Sequence, residues 1–141
     1  MEISDVRKRV LRTVDEAKRR AAARRTRIDQ AEAEYAVFLD RVAVPIVRQV
    51  ANVLRAEGFA FSVSTPAGAV RLMSDRSAED YMELSLDTSG SEPRVVGHSS
   101  RGRGRRVVET ELPLGADRAI PDLTEEDVLE FLLKSLEPLV E

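Results

Sequence analysis

Apolar residues in the first forty positions recur in alternating steps of three and four. Val14, Ala17, Ala21, Ile28, Ala31, Tyr35, Phe38 and Val42 follow that rule, Arg24 fills the one missing place, and the register runs back through Val10 and Arg7 to Ile3. Such steps put these positions on one face of a helix that can lie along another helix. No Pro occurs before Pro45 and no Gly before Gly58, and Ala, Arg, Glu and Leu, which are good helix formers, predominate. The pattern predicts one coiled-coil-like helix from residue 3 to about 42, with Ser4 as a candidate N-cap.

A helix of about forty residues spans roughly 60 Å, more than a small domain covers. The seam Val10, Val14, Ala17, Ala21, Ile28, Ala31, Tyr35, Phe38 and Val42 is therefore expected to meet a second copy of the chain. Its alanines let two backbones approach closely. Arg7 and Arg24 weaken the seam and can set its register.

Past Val42 the pattern changes. Pro45 cannot donate a backbone hydrogen bond, so a kink or short break is expected near Val44. The stripe Ile46, Val50 and Val53 or Leu54 predicts a helix over 46–57, closed by Gly58. From Phe59 the period becomes two. Phe59, Phe61 and Val63 lead through the turn Thr65-Pro66-Ala67-Gly68 to a strand with Val70 and Leu72. Residues 80–87 form a further strand. Arg94–Ser99 and Arg105–Leu112 form two more, separated by a loop at Ser100–Gly104.

A last helix over 123–140 begins with a possible capping box of Thr124 and Asp127. Its buried stripe is Val128, Phe131, Leu132, Leu136 and Leu139. The expected fold is α+β: a long kinked N-terminal helix, an antiparallel meander of four or five strands within 59–114, and a C-terminal helix packed on that sheet. The chain divides into a helix at 1–44 and an α+β domain at 45–141.

Composition narrows the function more than it identifies one. At 141 residues, 43% hydrophobic and 33% charged, the chain matches one globular body. The absence of Cys removes disulfides and thiolate chemistry. No stretch is apolar for long enough to span a membrane, and the charged start does not resemble a signal peptide, so a cytoplasmic location without membrane attachment is expected. The net charge of -3 conceals a polarity, with ten Lys/Arg against four Asp/Glu in 1–27 and two against ten in 109–141. A basic region of this kind suits nucleic acid or an acidic protein.

Candidate chemistry is sparse. His98 is the only histidine, and its neighbour Ser99 points to the opposite face of a strand, which prevents the two from acting as base and nucleophile. Asp75, Glu79 and Asp80, or Glu125, Glu126 and Asp127, lack the spacing and glycine of a calcium loop. Gly102-Arg103-Gly104 precedes no helix, so it reads as a hairpin turn rather than a phosphate cradle. Two arginine-rich groups are candidate anion or nucleic-acid contacts: Lys18, Arg19, Arg20, Arg24, Arg25 and Arg27 on the helix, and Arg101, Arg103, Arg105 and Arg106 at the hairpin. Arginine outnumbers lysine nineteen to three, which weakens what any one cluster signifies.

The expected function is a non-enzymatic homo-oligomeric interaction module, a homodimer or higher assembly, with no catalytic residues, metal or cofactor. The alternative is a nucleic-acid-binding protein using residues 18–27 and 101–106.

Overall fold

The computed structural model describes residues 1–116 and 118–141. Its first half is one helical run of 54 residues, about 80 Å long at 1.5 Å per residue. Helix α1 (Ile3–Phe38) passes through a π-helical turn (Leu39–Ala43) into α2 (Val44–Ala56). The kink or short break expected near Val44 takes the form of this π-helical turn, with no interruption of the helix. Within the widened turn, the Val44 N–H bonds to the Leu39 carbonyl, five residues back. Pro45 lacks an N–H and its ring crowds the carbonyl four residues earlier. An extra residue in the preceding turn accommodates it without ending the helix.

Helix α2 stops at Gly58, as expected. Phe59 N–H bonds to the Leu54 carbonyl and Gly58 N–H to Arg55, while Gly58 takes φ +90°. This is a Schellman ending, which places a left-handed residue just past the helix. Phe59 is thereby spent on closing the helix, and the first strand starts at Phe61.

Five strands follow: β1 (Phe61–Ser64), β2 (Val70–Ser74), β3 (Tyr81–Asp87), β4 (Arg94–Arg103) and β5 (Arg106–Pro113). They form one antiparallel meander in the order β1-β2-β3-β4-β5. The expected loop at Ser100–Gly104 contracts to a two-residue turn, because Arg103 pairs with Arg106. Gly104 supplies φ +63° at the first turn position, as a type II′ hairpin requires.

Gly102 lies inside β4 for another reason. Its N–H donates to the Asp80 carboxylate at 2.8 Å, and a Cβ there would collide with the Glu79 side chain. It is a site of close approach rather than a turn residue.

One face of the sheet is apolar. Phe61, Val70, Leu72, Met82, Leu84 and Val95 are buried against Val47 and Leu54 of α2 and against Val128, Phe131 and Leu132 of α3 (Glu125–Leu136). Thr124 and Asp127 form the expected capping box. The Asp127 carboxylate is buried and also receives Arg118 at 2.8 and 2.9 Å. Such pairing lets an ionised group sit inside the fold.

The core also takes in Ala31, Tyr35 and Phe38 of α1. The core thus takes in residues of the segment assigned above to the helical extension. The Tyr35 hydroxyl donates to the Leu84 carbonyl at 3.3 Å. Burial, assisted by the negative charge of Glu83, pushes the phenol up to about 12.

Two outcomes test this packing. Gly97 faces the Phe131 ring so closely that any Cβ would overlap it. Gly97→Val should therefore lower the urea-unfolding free energy by about 1–3 kcal/mol, whereas Gly90→Ala, whose Cβ would meet only the Glu92 carbonyl at 3.9 Å, should leave it unchanged.

Above the ordinary tyrosine range the unfolded chain releases the Tyr35 proton while the folded chain retains it, so stability should fall as pH rises from 10 towards 12. Tyr35→Phe should flatten that fall in unfolding curves taken across the same range.

Candidate functional site

The feature that calls for a function is the free part of α1. Residues 1–23 are exposed throughout, Arg24 and Ile28 are half-buried, and Ala31, Tyr35 and Phe38 are buried. The nine seam positions therefore divide between two environments. Ala31, Tyr35 and Phe38 are not free to meet another chain, because their own sheet and the turn at Ile120–Asp122 occupy that side of the helix, and Val42 packs at the edge of the same core. Val10 at 55% and Val14 at 40% exposure, with Ala17 and Ala21, lie on the uncovered extension of that stripe. One continuous apolar line is thus core at one end and surface at the other.

Arg24 marks the change. Its guanidinium donates to the carbonyls of Thr88 and Gly90, at 2.8 and 3.0 Å, and so fastens α1 to the β3–β4 loop. That loop is also ordered from within. Ser89 donates both its hydroxyl and its N–H to Asp87, at 2.6 and 2.9 Å. These two bonds, with Arg94 nearby, hold the Asp87 carboxyl below its usual range. From Tyr35 beside Leu84 to Arg24 beside Thr88, α1 runs towards the β3–β4 end of the sheet. Its remaining residues, back to Ile3, project roughly 30 Å past the clasp.

The two basic groups are not brought together. Lys18, Arg19, Arg20, Arg25 and Arg27 are exposed on α1, and Arg24 is committed to its loop. Arg103, Arg105 and Arg106 are exposed and Arg101 half-buried at the β4–β5 turn. That turn is at the far end of β4 from the β3–β4 loop, roughly 30 Å away along a ten-residue strand. The acidic residues Glu125, Glu126 and Glu130 are exposed on α3.

The second face of the sheet carries an ordered polar row. Arg71 contacts Glu83 at 3.0 Å and lies 4.1 Å over the Tyr81 ring. Tyr81 stacks on His98 at 5.8 Å, and His98 comes within 3.7 Å of Glu109. Arg71, Glu83, His98 and Glu111 stand directly opposite one another across β2 to β5. Ser99 opposes Met82 on the other face, so His98 and Ser99 diverge as their spacing requires. Cross-strand pairing explains this row as the stabilisation of a solvated sheet face.

Among the described residues no group of three or more His, Asp or Glu is placed to hold a metal ion, and no helix is long and apolar enough to cross a membrane. A cleft of about 350 Å³ between α1 and residues 120–123 is mainly apolar, lined by Val37, Phe38, Val42, Ile120 and Leu123. It brings Glu34 and Arg41 to its rim without a nucleophile. Comparison with models of known protein families, with curated proteins and with solved structures finds no match for this chain.

Periodicity identified the stripe but not its two environments. The Arg24 clasp was not legible either, because its acceptors are backbone carbonyls more than sixty residues away. Two hydrogen bonds from a charged donor at a partly exposed site contribute about 1–2 kcal/mol together. Arg24→Ala should accordingly speed amide exchange in the helix between Ala21 and Ile28 about tenfold, as read by hydrogen–deuterium exchange.

Proposed function

We propose that the protein is a non-enzymatic assembly module whose free α1 segment pairs with the same segment of a second copy. The observation that carries this reading is the uncovered apolar line through Ile3, Val10, Val14, Ala17 and Ala21, continuous with a buried one. Isolated helices are marginal in water, and a second helix on that line removes its apolar residues from solvent.

The Arg24 clasp blocks the stripe beyond Ala21, which limits the pairing segment to about residues 3–21. An antiparallel pair centred between Val10 and Val14 fits that length, with Ile3 of one copy reaching Ala21 of the other. This arrangement sets Asp5 beside Arg19 and Arg20. A parallel pair would instead stack Arg7 on Arg7 and each basic run on its equivalent, which is unfavourable. The distance between the two arginine groups counts against one nucleic-acid surface formed by both.

Sedimentation equilibrium of the full chain tests the proposal. A mass at a multiple of 15.7 kDa is expected, and Val10→Glu with Val14→Glu should weaken association at least about 100-fold by placing like charges in the seam. A monomeric wild-type chain, or an assembly indifferent to both substitutions, would refute the pairing.

A further inference from the structure

Strand β5 is a sheet edge of an unusually open kind. All eight of its residues are exposed, and among the described residues no loop or helix hydrogen-bonds to its outer side. The backbone phase of that side is set by β4. Leu114 N–H donates to the Val95 carbonyl, and Arg103 pairs with Arg106 across the turn. The even-numbered residues thus bond inwards, leaving the N–H and C=O groups of Val107, Glu109 and Glu111 directed outwards. Edges of this length are normally blunted by charged side chains, proline, bulges or a covering segment. Here Pro113 stands only at the end and Arg106, Glu109 and Glu111 are of both signs, so they repel a random strand but can pair with a suitably placed one, while Val107, Val108 and Leu112 are 47%, 40% and 44% exposed.

We infer that β5 pairs antiparallel with β5 of a second copy, joining two five-stranded sheets into one across a two-fold axis. The β5 segment is charge-complementary to itself when reversed, since Arg105 of the turn and Arg106 at the start of the strand lie at one end and Glu109 and Glu111 towards the other. Register follows from elimination. Outward-facing residues must oppose outward-facing ones, so the two-fold passes through a residue rather than between two. Centring on Glu109 sets that carboxylate against itself. Centring on Thr110 sets Glu109 against Glu111 twice. Centring on Val107 shortens the overlap by running into the turn.

Centring on Val108 keeps Arg106–Thr110 in mutual overlap, opposes no two carboxylates, and brings the turn residue Arg105 up to the partner strand. Val108 then packs on its own copy, Val107 opposes Glu109, Arg106 opposes Thr110, and Arg105 opposes Glu111 with Glu109 on its diagonal. Opposed charges in such cross-strand positions are favourable. Leu112 and the exposed Leu133 of α3 share a cleft beside this edge and extend the apolar contact beyond the strand.

This contact is independent of the helix pairing proposed above. Each is a two-fold contact at a different place on the chain, so together they would link dimers into larger closed or chain-like assemblies. The test therefore uses the full chain carrying Val10→Glu and Val14→Glu, which removes the helix seam. At about 100 µM this variant should sediment as a dimer.

Arg105→Glu alone and Glu111→Arg alone should each weaken that dimer about tenfold, and the two together should restore it. Val107→Pro, which removes an outward N–H without touching the β4 ladder, should give a monomer with an unchanged circular dichroism spectrum. A monomeric seam variant beside an oligomeric wild type would overturn the β5 contact and leave the helix pairing standing. A dimer unaffected by Val107→Pro, or single charge reversals without effect, would also overturn it. A wild-type assembly broken by Val107→Pro but not by the seam substitutions would support β5 and refute the helix.

Discussion

Pro45 has no N–H to offer the helix and its ring presses on the carbonyl of Arg41, yet the helix passes through it. The widened turn at Leu39–Ala43 absorbs the extra bulk, and α1 passes through it into α2 without a break. This continuity governs the rest of the molecule. Ile46, Val47, Ala51 and Leu54 bury α2 against the sheet, and whatever fixes α2 then also aims α1. A sharp kink would have separated Tyr35 and Phe38 from the core that α2 helps to build. The widened turn instead lets one rod contribute buried residues from Ala31 to Leu54.

Most of the architecture was legible because it rests on local rules. Period two marked the strands, Gly58 marked the end of α2, and Thr124 with Asp127 marked the start of α3. The misreadings arose where a neighbouring or distant segment overrides the local pattern, and at the chain start, where α1 begins at Ile3 after Glu2 rather than at the Ser4 cap. Gly102 resembles a turn residue in sequence, but it sits in β4 because Asp80 and Glu79 occupy the space beside it. Phe59 fits the strand pattern, but its N–H closes the Schellman ending of α2. The heptad steps say that one face of α1 is apolar. They do not say where that face stops touching its own domain, which depends on the reach of the β3–β4 loop.

Candidate chemistry was less legible than the fold. Strand alternation correctly separates His98 from Ser99, but the surfaces are read from exposure rather than motif. Edge strands are a case in point. Nothing in the residues 106–113 identifies β5 as the last strand of the sheet, since that depends on the chain turning away at Leu114 towards α3 instead of adding a sixth strand.

The clasp at Arg24 has a further, mechanical meaning. Measured from Ala31, the buried position of α1 nearest its free end, Arg24 is about 10 Å along the helix and Ile3 about 42 Å. A sideways displacement of the helix at the clasp is therefore magnified roughly fourfold at the tip. Two hydrogen bonds to one short loop thus trim the direction that the core gives the projecting arm, and the conformation of residues 87–91 acts as its sight.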